Sequence, residues 1–216
     1  MRYPPAHRLL TASTAVILVL AGAAGTTQAA PETYAIDTVH SSIAFSVRHF
    51  TSKVPGRFNK FEGTIVVDPK DLSTTKVDVI IDVASIDTAI ADRDGHLKSP
   101  DFFDVETHPK ATFKSTRVTA AGPNRAKIEG TLTIRGVSKP VVLEAEVLGF
   151  GPGNGGRWVG GFEAKTRINR QDFQVAWNKA VEGGGLVLSN DVDLVINIEA
   201  GRKDPKPADK SGKTGR

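Results

Sequence analysis

Apolar and polar residues alternate along most of this chain, and the alternation predicts β-strands. Between residues 77 and 83, valine or isoleucine at every odd position alternates with Asp78, Ile80 and Asp82. Successive side chains of a strand point to opposite faces, so a period of two predicts strands with one apolar face. The same period occurs in residues 43–48, 128–135, 141–147 and 192–199, with shorter stretches in residues 58–67, 111–118 and 158–168.

Clusters of turn-forming residues separate the alternating segments and indicate short connections. They lie at residues 68–71, 122–124, 135–138 and 151–156, and the hairpin between Ile134 and Val141 is the clearest. Strands joined by short turns pair antiparallel, so about eight such strands favour a single-domain sandwich or up-and-down barrel. Aromatic residues form only 6% of the chain. This is too few for the aromatic girdles of a membrane-spanning barrel, so a soluble barrel is favoured.

Two stretches lack the alternation. Residues 90–105 predict one or two helical turns, interrupted at residues 99–100 (SP), and such an insertion in a barrel often crosses one mouth. Residues 169–186 are also irregular and contain three consecutive glycines at positions 183–185. The backbone freedom of these glycines suits a mobile loop or a close approach to a ligand.

The interior of an eight-stranded soluble barrel is either filled by its own side chains or holds one small ligand. The residue types leave both forms open, since protein interiors normally pack without voids larger than a water molecule. Strands of about ten residues span roughly 30 Å, so a ligand in an open interior would be long and thin. The bulkiest candidates for the interior are Phe45, Phe58, Phe61, Phe113, Phe162 and Phe173.

Both ends of the chain differ from the alternating part. Residues 1–29 combine a basic start, an apolar run and small residues before Ala30, the pattern of a secretory signal peptide cleaved after Ala29 or nearby. A periplasmic or secreted location is therefore expected. Residues 201–216 contain no aliphatic residue larger than alanine, and we predict that they form a disordered basic tail.

The positive charge of the chain resides at these two ends. The net charge is +4, but residues 30–200 are slightly acidic. Nucleic-acid binding needs basic residues clustered on a folded face, so this class of partner is not expected. The tail offers at most a weak contact with an anionic membrane surface. The chain contains no cysteine, which excludes disulfides, a thiol nucleophile and cysteine-based metal sites.

The polar residues form no recognised catalytic or metal-binding motif, so neither a catalytic residue nor a metal is predicted. One alternative is an enzyme in which Asp94 orients His96 as a general base, but no nucleophile elbow or phosphate-binding loop accompanies them. The favoured interpretation is structural, with an Arg93–Asp94 ion pair at a capped helix start and Arg170 as partner of a buried carboxylate. The other histidines of the mature chain are His40, His49 and His108.

Several short motifs, in order, are similar to those of the YceI-like proteins. They are residues 34–37 (YAID), 40–49 (HSSIAFSVRH), 56–58 (GRF), 61–63 (FEG), 93–97 (RDGHL), 101–103 (DFF), 108–109 (HP), 113–115 (FKS), 130–137 (GTLTIRGV) and 168–173 (INRQDF). The resemblance extends over residues 33–200. It implies an all-β fold, an eight-stranded antiparallel lipocalin-like barrel with a short helical insertion.

The resemblance also implies a function without catalysis. An elongated apolar cavity would bind, store or transport a polyisoprenoid or similar long-chain lipid, such as a quinone or its precursor, and no other cofactor is expected. A structural or interaction protein with a closed core is the alternative, and a homodimer stays open because Trp158 and Trp177 are typical of interfaces. The predicted ligand-binding residues are Phe45, Val47, Phe58, Phe61, Ile65, Ile81, Phe102, Phe113, Leu132, Ile134, Leu143, Phe162, Ile168 and Phe173.

Overall fold

The computed structural model describes residues 31–180 and 186–203, which are mostly strand. The strands are β1 (Glu32–Ile36), β2 (Ser42–His49), β3 (Ser52–Phe58), β4 (Phe61–Asp68), β5 (Asp71–Asp82), β6 (Ile86–Asp87), β7 (Lys110–Ala120), β8 (Arg125–Ile134), β9 (Val137–Pro152), β10 (Trp158–Asn169) and β11 (Leu188–Arg202). The α-helix α1 (Ala91–Lys98) joins β6 to β7. Short 3-10 turns occupy Val83–Ser85, Asn154–Gly156 and Arg170–Phe173.

The strands form one closed antiparallel barrel. β1 and β2 both lie along β11 and act as one interrupted strand. β4 pairs with β1 and β3 pairs with β2, so β3 and β4 together form the next strand of the barrel. β5 then pairs with β4 and β6 pairs with β3, which gives the strand after that. From there β7 to β11 pair in chain order, which returns the sheet to β1. The predicted eight-stranded antiparallel barrel with a short helical insertion is therefore confirmed.

The interruption between β1 and β2 is held by a side chain. The Ser41 hydroxyl donates to the Glu199 carbonyl oxygen at 3.1 Å and accepts from the Glu199 amide at 3.0 Å. The Asp37 amide also donates to the Glu199 carbonyl oxygen, at 2.8 Å. These bonds replace the regular ladder where the chain leaves the sheet, so the backbone groups of β11 stay satisfied across the gap.

The alternation in the sequence corresponds to the two faces of the barrel wall. On β11, Leu194, Ile196 and Ile198 line the interior, whereas Val195 is 37% exposed on the outer face. The hairpin predicted between Ile134 and Val141 is present but tighter, because β9 already begins at Val137. Arg135 and Gly136 form its two-residue turn with φ of 50° and 72°, the left-handed geometry that suits a twisted hairpin.

The ordered domain extends beyond the predicted boundary at residue 200. Gly201 and Arg202 belong to β11 and pair with β1, and the Lys203 amide donates to the Thr33 carbonyl oxygen at 2.8 Å. Residues 201 and 202 of the predicted tail are therefore part of the barrel wall. Residues 204–216, the predicted signal peptide and the three glycines at 183–185 lie outside the described residues. Within the described part of the chain, no helix has the length and apolar character needed to cross a membrane.

Aromatic side chains pack together at the end of the barrel that contains β1. Tyr34 is fully buried, with its ring centroid 5.5 Å from that of Phe150 and 6.4 Å from that of Phe162. Its hydroxyl donates to Glu32 Oε2 at 2.7 Å, and burial raises the pKa of Tyr34 well above its ordinary value. This packed cluster bounds the apolar interior at the β1 end.

Candidate functional site

The barrel encloses two apolar chambers arranged along its axis. The chamber next to α1, here called the helix-side chamber, has a volume of about 350 Å³. The second, the β1-side chamber, has a volume of about 130 Å³. Small-molecule sites have volumes of about 300–1,000 Å³, so the helix-side chamber alone reaches that range.

The two chambers follow one another along the same strands. On β10, Ile168 lines the helix-side chamber, whereas Phe162 and Ala164 line the β1-side chamber. On β11, Leu194 lines both. The lining of β11 runs from Leu188 to Ile198, a rise of roughly 33 Å along the strand. The interior is therefore long and narrow, with Leu194 at the junction of its two parts.

Most residues predicted to bind a ligand lie on the chamber walls, although their contact with a ligand stays a prediction. Phe61 does not: it is buried in the core cluster that contains Ile81 and Val83, outside both chamber linings. The β1-side chamber is lined by Ile65, Ile81, Phe113, Leu132, Leu143 and Phe162. The helix-side chamber is lined by Phe45, Val47, Phe58, Phe102, Ile134, Ile168 and Phe173.

Other lining residues were not among those predicted to bind a ligand. Val77, Val79 and Ile196 line the β1-side chamber, and the period-two pattern already assigns them to the apolar face of their strands. Leu97 and Trp177 line the helix-side chamber from segments without any period, so the sequence carried no comparable signal for them. Trp177 is thus a residue of the chamber wall, whereas Trp158 lies 38% exposed on the barrel.

Three rings on the wall of the helix-side chamber pack against one another. The His96 ring centroid lies 5.0 Å from that of Phe102 and 5.2 Å from that of Trp177, and the Phe102 and Trp177 rings are also 5.2 Å apart. His96 Nε2 lies 2.8 Å from Asp101 Oδ2. The imidazole is therefore paired with Asp101 and not with Asp94, because residues two apart on a helix do not face each other.

Arg93 and Asp94 do not form the predicted ion pair, and each of them binds Thr88 instead. Arg93 donates from Nε to the Thr88 hydroxyl at 2.7 Å and from Nη2 to the Thr88 carbonyl oxygen. Asp94 Oδ1 accepts from the Thr88 amide at 2.9 Å and from the Thr88 hydroxyl. The prediction of a capped helix start was also wrong, because Ile90 stands at the N-cap of α1 and its side chain makes no capping bond.

Arg170 is a buried cation held by uncharged oxygens. It is 6% exposed, and it donates to the carbonyl oxygens of Val175 at 2.6 Å, Trp177 at 2.8 Å and Ser189 at 3.0 Å. Burial lowers the pKa of Arg170 below its ordinary value. The prediction of a carboxylate partner was wrong, because loop carbonyls occupy the guanidinium. Arg170 thereby ties the segment after β10 to the start of β11.

One group of side chains in the described ranges has a composition that could hold a metal ion: Asp37, His40 and Glu199. It lies on the outer surface at the gap between β1 and β2. His40 Nδ1 is 3.1 Å from Asp37 Oδ2 and 3.9 Å from Glu199 Oε1. The hydrogen bond with Asp37 raises the pKa of His40 and lowers that of Asp37. An ion pair accounts for this geometry, and the absence of a metal site stays a prediction.

NMR titration is expected to place the pKa of His40 above its ordinary value, and Asp37→Asn is expected to return it toward that value. Since folding raises the pKa of His40 and lowers that of Asp37, the pair stabilises the fold between these two pKa values. Its contribution disappears as pH rises through the pKa of His40 or falls through that of Asp37. His40 is 62% exposed, so added salt should weaken the effect. An unchanged His40 pKa in the Asn variant would contradict the pairing.

The Phe45 ring lies over a glycine and forms part of the helix-side wall. Gly56 is its cross-strand partner on β3, and a methyl group on Gly56 would overlap the ring. The ring centroid also lies 5.7 Å from that of Phe58. A larger residue at Gly56 would therefore push Phe45 toward the chamber.

Gly56→Ala is expected to lower the free energy of unfolding by about 1–3 kcal/mol, because overpacking a buried contact displaces the Phe45 ring. Urea denaturation measures this change. Gly151→Ala on β9 is the matched control, since the space beside Gly151 is open. Its effect should stay within about 0.5 kcal/mol. Equal effects of the two substitutions would show that the contact with Phe45 is not responsible.

Comparison with known sequences gives a match over nearly the whole barrel. The YceI-like domain matches residues 34–200. A UPF0312 protein of Vibrio parahaemolyticus is 39% identical over 173 residues, which cover 79% of this chain and 87% of that protein. A UPF0312 protein of Pseudomonas aeruginosa is 38% identical over 179 residues, which cover 82% of this chain and 90% of that protein.

Solved structures share the same barrel. A YceI protein of Campylobacter jejuni has a TM-score of 0.64 at 36% identity and covers 73% of this chain and 90% of its own. BcnA of Burkholderia cenocepacia has a TM-score of 0.67 at 24% identity, with 76% and 99% covered. A polyisoprenoid-binding domain of Saccharophagus degradans has a TM-score of 0.57 at 18% identity, with 79% and 98% covered. The last two likenesses show the fold alone.

Proposed function

This chain belongs to the YceI-like family, and from that premise we propose that it binds, stores or transports a long-chain lipid in its barrel. A polyisoprenoid, a quinone or a quinone precursor is the ligand class that the proposal names. A domain of the same fold in Saccharophagus degradans binds polyisoprenoid, which supports the choice of class although the sequences are only 18% identical.

The observation that carries the proposal is the apolar lining of the two chambers, which lie in succession inside the barrel and share Leu194. The β1-side chamber is lined chiefly by valine, leucine, isoleucine and phenylalanine side chains, and the helix-side chamber adds rings from α1 and the loops. Water gains little in such a space because it finds few hydrogen-bonding partners. An apolar chain gains about 25 cal/mol for each Å² that it removes from water. The interior thus favours a long hydrocarbon over a polar metabolite.

The alternative of an enzyme that uses Asp94 and His96 together loses its geometric basis. His96 is paired with Asp101, and Asp94 is bound to Thr88, so the two residues considered as a catalytic pair are engaged separately. Asp94 therefore does not orient His96 as a general base.

The proposal also includes the cellular location of the protein. The N-terminal sequence favours export, which would place the barrel in the periplasm or outside the cell. A carrier there would hold a lipid away from water during storage or transfer. A homodimer and a weak contact of the basic tail with a membrane surface are compatible with this role, and the proposal requires neither.

Native mass spectrometry of the protein purified from its own cell envelope tests the proposal, followed by organic extraction of any bound molecule. We expect a bound mass that resolves into an isoprenoid or another long-chain lipid. A protein that stays free after incubation with quinones and polyprenols would contradict the proposal and favour a closed-core interaction protein.

A pair of variants on β2 makes the test specific for the chamber. Phe45→Asp places a charge on the helix-side wall, and we expect it to abolish lipid binding while the barrel remains folded. Ala44→Asp places the same charge one residue away, opposite Arg57 on the neighbouring strand. This control should keep its lipid. Unchanged lipid occupancy in a folded Phe45→Asp protein would contradict the assigned chamber.

A further inference from the structure

The hydrogen-bonded ladder between β9 and β10 stops before the strands themselves end. Paired residues reach Lys165 opposite Glu144. Among the residues that the structure describes, residues 137–143 of β9 and 166–169 of β10 form no pairs with each other. Each segment pairs on its other side, with β8 or with β11. The barrel wall therefore has a seam, defined here as the unpaired stretch between these two segments.

A groove of about 720 Å³ lies along the seam. Its lining includes Lys139, Val142 and Arg167, whose side chains are exposed, so the groove is open to solvent. Pro140 also belongs to the lining. Proline has no backbone N–H and is found in sheets chiefly on strand edges, which agrees with an interrupted ladder at this point of β9.

The groove and the interior share part of their walls. Val141 lines both the groove and the β1-side chamber, whereas Ile168 and Phe173 line both the groove and the helix-side chamber. Ile168 is 8% exposed and Phe173 is 2% exposed. One layer of apolar side chains therefore separates the groove from each chamber. Apolar contacts are non-directional, so the two strands can part here without breaking a backbone ladder.

The seam is fastened at one end by the ladder and at the other end by Arg135. Arg135 lies in the turn between β8 and β9, and its Nη1 donates to the Phe102 carbonyl oxygen at 2.7 Å and to the Gln174 carbonyl oxygen at 3.1 Å. Gln174 directly follows the 3-10 turn at the end of β10. A single side chain thus joins the β8–β9 hairpin to the segment after β10. Two hydrogen bonds break far more easily than a ladder of many.

We propose that the lipid enters and leaves the barrel sideways through this seam, and that Arg135 is the latch that keeps the seam closed. This inference rests on the proposed function, since it supplies the route for the ligand of the carrier. The seam borders both chambers, through Val141 and Ile168, so a long hydrocarbon can move broadside into the interior. Phe173 is displaced during passage and then closes the wall again. Openings of this kind set the rates of binding and release.

Cross-linking across the seam tests the route. Val142→Cys and Arg167→Cys continue the β9–β10 register across the groove, and they place two thiols in a chain that has no cysteine. Because unpaired strands can lie too far apart for a disulfide, a bis-methanethiosulfonate linker bridges the thiols and dithiothreitol releases it. Uptake of farnesol by the lipid-free protein is followed by stopped-flow fluorescence of Trp177, which lines the helix-side chamber. We expect bridging to slow uptake by about tenfold or more, and removal of the linker to restore it.

The matched control places the same linker where the strands are already paired. Glu144→Cys and Lys165→Cys are direct partners on β9 and β10, one step beyond the seam. Bridging this pair should leave the rate of uptake unchanged. None of the four substituted residues lines a chamber, so both bridged proteins should keep the equilibrium affinity of the wild type for farnesol. A slower rate at constant affinity separates a blocked route from a damaged interior.

Loss of the latch is expected to have the opposite effect. Arg135→Met removes both hydrogen bonds, and we expect uptake and release of farnesol to accelerate together by about tenfold, with little change in affinity. Release is measured by mixing the loaded protein with excess phosphatidylcholine vesicles. Arg125→Met is the control, since Arg125 is exposed at the other end of β8 and pairs with Glu146. Circular dichroism confirms that each variant is folded.

The outcomes separate this inference from the proposed function. Unchanged uptake in the protein bridged across the groove would overturn the lateral route and indicate entry at a mouth of the barrel, with lipid binding intact. Unchanged rates in a folded Arg135→Met protein would overturn the latch. If neither farnesol nor longer polyprenols bind the wild type, and the protein from the cell envelope is free of lipid, the carrier function itself is contradicted and the route falls with it.

Discussion

Arg170→Met is expected to lower the free energy of unfolding by about 3–5 kcal/mol, a large effect for one side chain. Methionine fills a similar length but donates no hydrogen bond. The carbonyl oxygens of Val175, Trp177 and Ser189 would lose the guanidinium, and each unsatisfied buried group costs about 1–3 kcal/mol. Urea denaturation followed by circular dichroism measures the loss.

Arg167→Met is the matched control, three residues earlier in the chain. Arg167 is exposed and its Nε lies 2.7 Å from Asp193 Oδ1, but Lys53 binds the other oxygen of Asp193 at 2.8 Å. Because exposed ion pairs are weak and Asp193 keeps a partner, the midpoint of urea unfolding should stay near that of the wild type. If the two variants lost similar stability, the loop carbonyls would not depend on Arg170 as described.

Leu194→Phe is expected to shorten the longest chain that the barrel accepts. Leu194 lines both chambers, so a larger side chain there would narrow the passage between them. Affinity for a long polyprenol should fall by at least about tenfold, whereas geraniol, which fits within one chamber, should bind as before. Titration of a series from geraniol through farnesol to longer polyprenols, with wild type and variant, measures the cutoff.

Val195→Phe is the control for this series because it adds the same ring one residue later. Val195 is 37% exposed on the outer face of β11 and lines neither chamber. It should therefore bind every member of the series as the wild type does. If a folded Leu194→Phe protein bound the long polyprenols with full affinity, the two chambers would not form one path for the ligand.

The regular part of the barrel was accessible from the sequence because each strand buries one face. The alternation on β5, β8 and β11 predicted which residues point inward, and the structure places Val79, Leu132 and Ile196 on the chamber walls. The interruptions of the strands were not accessible in this way. The gap after β1 depends on the hydrogen bonds between Ser41 and Glu199, which are 158 residues apart in the chain. The alternation of apolar and polar residues within a strand contains no information about a partner so far away in the chain.

The irregular part of the site shows the same limit. Leu97 and Trp177 reach the helix-side chamber from α1 and from a loop, where no period marks an inward position. The predicted partners of Arg93 and Arg170 were also wrong. Acidic side chains were expected, but Arg93 binds the oxygens of Thr88 and Arg170 binds carbonyl oxygens of the loop. A backbone carbonyl is present at every position, so the sequence cannot single out the ones that accept. The open interior was implied by family resemblance and not by residue types.

The pairing of β1 with β11 has a consequence for how the chain folds. Tyr34 pairs with Arg202, so the ring closes only when segments from opposite ends of the domain meet. Such non-local contacts slow folding, because the entropy of a long loop is lost before the contact forms. The hydrogen bond from Lys203 to Thr33 also brings the two ends together. A circular permutant joined there and opened between β9 and β10 would retain the strand pairs while making the β1–β11 contact a local hairpin.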